Sequence, residues 1–237
     1  MSAASLPSAL EAASNAAGRS DQHVDAEPDA DDTDPMRAAQ LETLWKSNEM
    51  ARKKVVGFYS DKPSAGPLRV FSNFSEHAPW EFTIPLCCGR VALFNSGRPT
   101  TVVLTFAEKG IMLCKAAAMG DLAMFDEILR TTSAASAKKL GRGVYPWDQG
   151  RWDRVVCTVA KAVVFSKFAS DAELRRVLLS TGHHLIAEAA KNDRNWGIGL
   201  DLSQPEVAMP AHWRGANILG WALMEARARL GGAGVAD

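Results

Sequence analysis

The sequence lacks net charge and lacks any long apolar run. Its 237 residues contain 27 Lys and Arg and 27 Asp and Glu, so the formal charge is zero. Such a balance gives no overall attraction for a nucleic acid, and a substrate with phosphates would have to be met by local positive charge. No apolar stretch approaches the roughly 20 residues of a membrane helix, and no basic segment followed by an apolar one marks a secretory signal. We therefore expect no membrane partner.

The cysteines also lack the spacing of a metal site. Zinc ligands typically occur as CxxC pairs or as cysteines with paired histidines. The four cysteines of this chain show neither pattern. Reduced thiols are favoured over a disulfide framework, and they are typical of a cytoplasmic or nuclear protein. The sequence thus predicts no metal, no cofactor, and a cytoplasmic or nuclear location.

What the sequence does contain is one folded unit between two polar ends. Residues 1–35 include the acidic stretch DAEPDADDTDP and have little apolar content, which is typical of a disordered tail. Residues 231–237, GGAGVAD, are predicted to form a flexible C-terminal tail. The remaining residues, 36–230, can bury the core of a single domain.

Hydrophobic periodicity predicts a mainly helical α+β domain with short strands near its N-terminal part. We expect extended segments at 55–60 and 69–74, and a hairpin-like strand region over 79–105. Helices are predicted at 36–53, 107–118, 121–132, 133–140, 149–168, 171–180, 183–190 and about 215–230.

Glu108 and Lys115 stand seven positions apart in the helix predicted at 107–118. Seven steps of roughly 100° bring both side chains to one face of that helix. Ile111 and Met112 lie between them on this face and are apolar. An acid and an amine on such a face form either a surface salt bridge or a reactive pair in a pocket, and the apolar neighbours favour the pocket.

Polar groups also stand beside aromatic rings in the segment FSNF, at 71–74. Ser72 and Asn73 lie between the two phenylalanines, close after Arg69. Their side chains offer hydrogen bonds from a backbone that aromatic rings anchor. They could bind a ligand, or they could form an ordinary turn in which the polar side chains bond their own backbone.

The loop EAAKNDRNWGIGL, at 188–200, mixes carboxylates, amides and a large ring. Asp193 could fix the orientation of a ligand, Trp196 could stack on it, and Gly197 could allow a close approach of the backbone. A purely structural turn is the alternative. The two glycines do not form a GxGxxG phosphate loop after a strand, so a dinucleotide fold is not indicated.

A basic stretch, AKKLGRG at 137–143, is followed by WDQGRWDR at 147–154. Arg142 is a candidate for binding phosphate and Trp152 for stacking on a base, because guanidinium groups pair with phosphate and indole rings offer a flat face. A basic helix surface with core tryptophans is the alternative. Arg69 is a second candidate for phosphate.

Taken in order, these segments resemble the NADAR family, which is also called YbiA-like. The matching motifs are GFYS, FSNF, a helix with Glu-x6-Lys followed by Gly-Asp, AKKLGR, LLSTG, E-x3-NDxxWGIGL and GxNxLGxxLMExR. The resemblance covers about residues 55–230. Each motif is weak alone, but their shared order makes a chance match improbable.

The resemblance implies an N-glycosidase that acts on ribosylated nucleobases. The implied activities are removal of ADP-ribose from modified guanine, in nucleic acid or nucleotide, and cleavage of ribosylamino-pyrimidine phosphates of riboflavin synthesis. Glu108, Lys115 and Asp193 match the family's acid, lysine and loop aspartate, and Trp152 and Trp196 match its ring-bearing positions. A module that binds ADP-ribose without cleaving it is a third possibility, although such a module need not keep the acid and the lysine.

Three features depart from compact bacterial members of the family. Lys109 stands where those members have histidine, and the segment before Glu108 and the segment 202–214 are longer. The two longer segments bear on the choice of substrate.

The residues suggest two ways to break a ribosyl–nitrogen bond. Glu108 or Asp193 could activate water, as carboxylates do in glycosidases. Alternatively, Lys115 could capture the ribose carbon as a Schiff base, with Glu108 shuttling protons and Asp193 holding ribose hydroxyls. Because an amine must be neutral to attack, the pKa of Lys115 must fall well below its ordinary value of about 10.4. We therefore expect Glu108 to be partly protonated, or held away from Lys115, before substrate binds.

Overall fold

The computed structural model describes residues 36–232. The predicted acidic tail, 1–35, lies outside this part of the chain, as do the last five residues of the predicted C-terminal tail. The described residues form a mainly helical α+β domain with few short strands, which confirms the predicted fold class. No helix in this part is long and apolar enough to cross a membrane.

Eight α-helices form the largest share of the described chain. Their bounds are α1 Ala38–Trp45, α2 Arg90–Asn95, α3 Ala107–Met119, α4 Leu122–Arg130, α5 Ala134–Arg142, α6 Gln149–Ala169, α7 Ala172–Leu179 and α8 Ile218–Gly232. Residues at the helix ends terminate one helix and cap the next. Gly120 closes α3 in the left-handed conformation at φ 76°, and the Asp121 side chain accepts the N–H of Met124 to cap α4.

Four strands pair as two separate two-stranded sheets. Strand β1, Val55–Phe58, lies parallel to β4, Leu185–Glu188, with Phe58 opposite Glu188. Strand β2, Trp80–Thr83, lies antiparallel to β3, Thr101–Leu104. The prediction of a hairpin-like region is therefore correct for these two strands. It is wrong for the residues between them, where the helix α2 stands in place of extended chain.

The helix predicted at 183–190 is wrong, because this segment contains β4. Its apolar run is only three residues long, and Leu185, Ile186 and Ala187 are all buried. A buried run of that length fits a strand as well as a helix. The strand is stabilised from outside the segment, by β1 and by the side chain of Asn217, whose Nδ2 donates to Ile186 O at 2.9 Å.

Two other predicted elements are corrected. Residues 69–74 are not extended, because a 3-10 segment, Pro63–Phe71, with prolines at 63 and 67, runs into a turn. The helix predicted at 36–53 stops at Trp45 and is followed by a separate 3-10 turn, Met50–Arg52. At the end of α1, the indole N–H of Trp45 donates to Ala216 O at 2.7 Å.

The core consists of two hydrophobic clusters, and α6 lies between them. Val156, Ala160 and Val164 on one side of α6 join the first cluster with α1, α7, α8, β1 and β4. On its other side, Val155, Val159 and Val163 join the second cluster with α3, α4, β2 and β3. A helix that is apolar on both sides has to be buried between two layers. Trp152 and Trp196 pack against both clusters.

Candidate active site

Glu108 lies in the first turn of α3, where the backbone holds it firmly. Its N–H donates to Asn73 O at 2.9 Å, so the turn at FSNF caps the start of the helix. The side chain of Glu108 is only 5% exposed. Apart from Lys109 and Lys115, every residue of α3 is buried. Glu108 is therefore a buried acid rather than a partner in a surface salt bridge.

The turn at FSNF is pinned by Lys167, a residue of α6 that is 1% exposed. Its ammonium nitrogen donates to Val70 O at 2.7 Å and to Ser72 O at 3.0 Å. Burial lowers the pKa of Lys167 to about 7. Ser72 Oγ accepts the N–H of Phe74 at 3.2 Å, which is the local turn weighed as the alternative. In the sequence, Lys167 stands in the pair KF at 167–168, which gives no sign of this role.

Helix α5 brings two cations to Glu108. It approaches α3 closely because Gly141 has no side chain: a Cβ there would lie 2.0 Å from Met112 Sδ. The charges of Lys138 and Arg142 oppose the rise in the pKa of Glu108, so both lie within electrostatic range of it. Lys138 Nζ also stands 5.3 Å from the centroid of the Phe74 ring.

Lys115 is half-buried and faces a ring rather than a carboxylate. Its Nζ lies 4.3 Å from the centroid of the Trp147 ring, and Trp147 is tilted against Trp152 with centroids 6.2 Å apart. Burial, followed by the charge of Arg142, lowers the pKa of Lys115, while Glu108 opposes this. Within the described chain Lys115 forms no ion pair with Glu108.

The loop after β4 presents Asp193 to the buried acid. Asp193 Oδ1 accepts the N–H groups of Asn195 at 3.0 Å and Trp196 at 2.8 Å, which fixes the carboxylate. Gly197 is needed for packing, because a Cβ there would lie 2.7 Å from Glu188 O. The charge of Asp193 helps to raise the pKa of Glu108.

Helix α8 holds this loop in place through backbone bonds. The N–H groups of Ile218 and Leu219, in its first turn, donate to Asn195 O and Trp196 O at 3.1 Å each. Those donors would otherwise have no partner in the helix. Asn217, just before α8, has a positive φ of 53°, and its Oδ1 accepts the N–H of Glu188 at 3.0 Å. The last family motif therefore supports the loop and β4 together.

Glu188, at the end of β4, is a third acid in the site that sequence analysis missed. Burial and the charges of Asp193 and Glu108 raise its pKa to about 8, while Lys138 opposes the rise. Its Oε2 is buried and has no hydrogen-bond partner in the part of the chain that the structure describes. The available signal was its place as the first residue of the E-x3-ND motif, but the wrong helix prediction hid the direction of its side chain.

Burial also raises the pKa of Glu108, to about 7, with Asp193 adding to the effect. Near neutral pH this acid is therefore divided between its protonated and ionised forms, as expected from the sequence. The arrangement thus combines an acid that can give or take a proton, an amine with a lowered pKa, and a fixed carboxylate. These are the groups that glycosidic bond cleavage needs.

The other predicted site residues fall into two groups. Arg142, Trp152 and Trp196 lie with the acids or at the boundary of the two core clusters beside them. Arg69 is exposed on the 3-10 segment, and its charge lowers the pKa of His77 rather than that of Glu108. Within residues 36–232, no three His, Cys, Asp or Glu side chains are grouped to hold a metal ion.

The side chain of Lys109 extends towards α4 rather than towards these acids. Its Nζ donates to Thr131 O at 2.9 Å, at the C-terminal end of α4. The longer segment at 202–214 forms two 3-10 turns, Pro205–Ala208 and Pro210–His212. It adds Val207 and Trp213 to the first core cluster.

Known proteins are similar to this chain in sequence and in fold. The NADAR domain model matches residues 58–231. N-glycosidase YbiA of Escherichia coli K12 is 33% identical over 196 residues, which are 83% of this chain and 97% of that protein. An N-glycosidase of Acanthamoeba polyphaga mimivirus is 34% identical over 121 residues, 51% of this chain and 71% of that protein. The NMR structure of E. coli YbiA is similar with a TM-score of 0.55 and 26% identity, covering 78% of this chain and 89% of that one.

Proposed function

The chain belongs to the NADAR family, and on that premise we propose that it is an N-glycosidase that removes ADP-ribose from guanine in nucleic acid or nucleotide. Relatives named N-glycosidase support a glycosyl hydrolase. The observation that carries the proposal is the buried Glu108, with its raised pKa, between the half-buried amine of Lys115 and the fixed carboxylate of Asp193.

In the proposed reaction Lys115 is the nucleophile. The lone pair of its neutral amine forms a bond to C1″ of the ribose, and the bond from C1″ to the base nitrogen breaks. The electron pair of that bond leaves on the base nitrogen, which takes up a proton. Burial favours the neutral amine because it disfavours an ammonium away from water.

Glu108 then moves one proton in two steps. Its carboxylate takes the proton from the nitrogen now attached to C1″, and its carboxylic acid gives the proton to O4″ as the ribose ring opens. The product is a Schiff base on Lys115, which water hydrolyses to ADP-ribose and the free amine. A pKa near 7 suits a group that both accepts and donates at neutral pH.

Asp193 and the rings orient the substrate in this proposal. The Asp193 carboxylate accepts hydrogen bonds from ribose hydroxyls through the oxygen that its own loop leaves free. Trp152 and Trp196 offer stacking faces for the bases, and Arg142 offers a guanidinium for phosphate.

Base release and covalent trapping test this function together. The protein is incubated with ADP-ribosylated guanosine, ADP-ribosylated DNA and a ribosylamino-pyrimidine phosphate, with Glu108→Ala as the inactive control. Guanine release from the first two supports the proposal, release only from the third indicates the riboflavin-type activity, and ADP-ribose binding without any release indicates a binding module. Borohydride should trap a covalent adduct in the wild type, and an adduct that persists in Lys115→Ala would rule out Lys115 as the nucleophile.

A further inference from the structure

We propose that Glu188 is a catalytic acid of this site, which gives its proton to the nitrogen of the departing base. The proposal rests on the glycosidase function above and assigns the proton that the leaving base needs. It is carried by the position of Glu188, by an unpartnered carboxyl oxygen and by the charges around it.

The backbone of Glu188 is held from three directions, which fixes where its side chain leaves the chain. It pairs with Phe58 across the parallel strands β1 and β4. Its N–H donates to Asn217 Oδ1 at 3.0 Å, and its carbonyl accepts the N–H groups of Ala190 and Ile198, each at 2.9 Å. A proton donor needs this rigid placement, because transfer works only within hydrogen-bond reach.

The carboxyl group itself is left unsatisfied by the protein. Oε2 of Glu188 is buried and has no hydrogen-bond partner among the described residues. Buried polar atoms without partners are uncommon in folded proteins, and each calls for an explanation. An ionised carboxylate would be costly in that position, whereas a protonated acid waiting for an acceptor on the substrate fits it.

The surrounding charges divide the roles of the two glutamates. Glu108 lies within range of three cations, Lys115, Lys138 and Arg142, and of the carboxylate of Asp193. Among the described residues, Glu188 lies within range of one cation, Lys138, and of the carboxylate of Asp193. The two glutamates also lie within range of each other, so they differ in the number of nearby cations. When acids share a site, the one with more cations ionises first and the other keeps its proton. Glu108 is therefore the base and Glu188 the acid.

Over one turnover, each proton that is transferred either returns to the group that gave it or leaves with a product. As C1″ leaves the base, the base nitrogen keeps the bonding electron pair and takes the proton of Glu188, which becomes a carboxylate. Water later adds to the Schiff base on Lys115 and releases a proton, which returns to Glu188. No oxidant, reductant or further reactant is needed.

The test compares Glu188→Gln with the wild type on two substrates. With ADP-ribosylated guanosine, kcat should fall by about 100-fold or more, because general acids contribute 10²- to 10⁴-fold. With an ADP-ribosyl compound whose leaving group is nitrophenolate, which departs without protonation, the loss should be under about 10-fold. The loss of activity of the wild type at high pH should also disappear in the variant.

Equal losses on the two substrates, or an unchanged kcat with guanosine, would overturn the role of Glu188. Glu188→Asp serves as a second variant and should recover part of the rate. Melting temperatures of both variants show whether they fold. If the wild type itself releases no base from any substrate, the proposed glycosidase function is wrong. In that case the infrared band of a protonated carboxyl, compared between wild type and Glu188→Gln, still shows whether Glu188 holds a proton at neutral pH.

A different part of the molecule points to a second site. We infer that a cavity of about 460 Å³ beside the Asp193 loop binds a phosphate group of the substrate. The side chains that define it are Lys191, Asn192, Arg194, Ser203, Gln204 and Arg214. None of the three acids of the reaction site lines it. This inference also rests on the proposed function, since it concerns how the same substrate is held.

The composition of this cavity selects for phosphate. Lys191, Arg194 and Arg214 form no ion pair within the described chain. The charge of Lys191 acts on Asp201 at longer range, so the two arginines carry most of the charge that a ligand would meet. The carboxylate of Asp201, also in the lining, already accepts the N–H and the hydroxyl of Ser203, at 3.0 and 2.7 Å. No aliphatic or aromatic side chain lines the cavity, so it offers no face for a base. Convergent cations with a side-chain amide beside them are suited to phosphate oxygens.

The cavity is tied to the reaction site by the loop that both share. Lys191 and Arg194 flank Asp193, and the N–H of Gly199, another lining residue, donates to Asp193 O at 3.1 Å. The longer segment at 202–214 supplies Ser203, Gln204 and Arg214. A phosphate held there lies next to the sugar that Asp193 contacts, either in the diphosphate of ADP-ribose or in the strand that carries the modified guanine.

Binding of unmodified ligands tests this site without any catalysis. The double variant Lys191→Ala/Arg214→Ala is compared with Arg175→Ala, an exposed arginine of α7. Affinity for ADP-ribose and for a single-stranded oligonucleotide is measured at several salt concentrations. A loss of about 10-fold or more for either ligand, with a shallower salt dependence, supports the phosphate site.

The ligand that is affected identifies the source of the phosphate. Loss for ADP-ribose assigns the cavity to the diphosphate, and loss for the oligonucleotide alone assigns it to the strand. Unchanged affinity for both ligands, or an equal loss in Arg175→Ala, would overturn the inference. Because these ligands are not cleaved, the outcome does not depend on whether the chain is a glycosidase.

Discussion

At the scale of single residues, the site contains ionisable groups whose charged forms are disfavoured by burial. Glu108 and Glu188 are acids held where burial disfavours their charged forms, and Lys115 and Lys167 are amines held in the same way. Strongly shifted pKa values of this kind cluster at functional sites, because catalysis needs groups that change charge near neutral pH. The cost falls on the stability of the folded chain.

Glu108→Gln should therefore stabilise the protein, but only at higher pH. The folded-state pKa of about 7 lies above the unfolded value of 4.5, so the folded state binds more protons between them. Stability from this group is present at low pH and is lost as pH rises through 7. We expect Gln to raise the free energy of unfolding by about 3 kcal/mol at pH 8 and by little at pH 4.5.

Urea unfolding at the two pH values measures this difference. Glu173→Gln is the matched control, because Glu173 is exposed and its carboxylate pairs with Arg176. A gain for Glu108→Gln that is the same at pH 4.5 and pH 8 would contradict the raised pKa.

Lys167→Met should loosen the turn that positions Glu108. Methionine fills similar space but cannot donate to Val70 O and Ser72 O. Val70 O then loses its partner, at a cost of about 1–3 kcal/mol, while Ser72 O keeps the N–H of Ser75 at 3.2 Å. We expect the amide of Glu108, which is bonded to Asn73 O, to exchange its hydrogen at least about 10-fold faster, an effect measured by NMR. Lys161→Met, on the same helix, should leave that exchange rate unchanged.

At the scale of elements, the approach of α5 to α3 sets the distance from cations to acid. In Gly141→Ala the new Cβ would meet Met112 at Sδ, and also at Cγ, 2.8 Å away, and Cβ, 3.2 Å away. A rotamer change of Met112 clears the sulfur but not its Cβ, so α5 has to move. We expect a loss of about 1–3 kcal/mol of stability and slower base release.

Thermal unfolding and single-turnover rates check this prediction, with two variants for comparison. In Gly150→Ala the nearest atoms would be 3.5 and 3.6 Å away, so this change should be neutral or slightly stabilising. Adding Met112→Ala to Gly141→Ala should recover the rate. If Gly141→Ala is as stable and as fast as the wild type, the packing of α3 and α5 does not depend on this glycine.

The elements also show what could be predicted from the sequence. Helices α3 to α7 were predicted well, because glycines and caps such as Gly120, Asp121 and Asp148 mark their ends locally. Strand β4 was missed because its four residues carry no period of their own and depend on β1 and Asn217. That error concealed Glu188, since a wrong element gives a wrong side-chain direction. The grouping of Glu108, Lys115 and Asp193 was expected from the order of family motifs.

At the scale of the whole molecule, α6 makes the two core clusters interdependent. Each cluster contains three valines or alanines from opposite sides of this one helix, and Trp152 and Trp196 bridge them. Neither cluster can lose α6 without exposing apolar surface of the other. The described domain should thus unfold as one unit.

Leu41→Ala and Leu93→Ala place one cavity in each cluster, since both leucines are fully buried. Each change should cost about 2–5 kcal/mol. Calorimetry should show a single transition at a lower temperature in both variants. Two resolved transitions in either variant would mean that the clusters fold separately.

The position of Lys115 beneath the Trp147 ring has a consequence for the resting protein. The ring is 41% exposed and its face attracts an ammonium ion, so it favours the charged form that burial opposes. A base that stacks against this ring competes with the ammonium for the same π-face and tips the balance towards the free amine. We therefore expect the ring to slow the reaction of the resting lysine with sugars and aldehydes, which react with unprotonated amines.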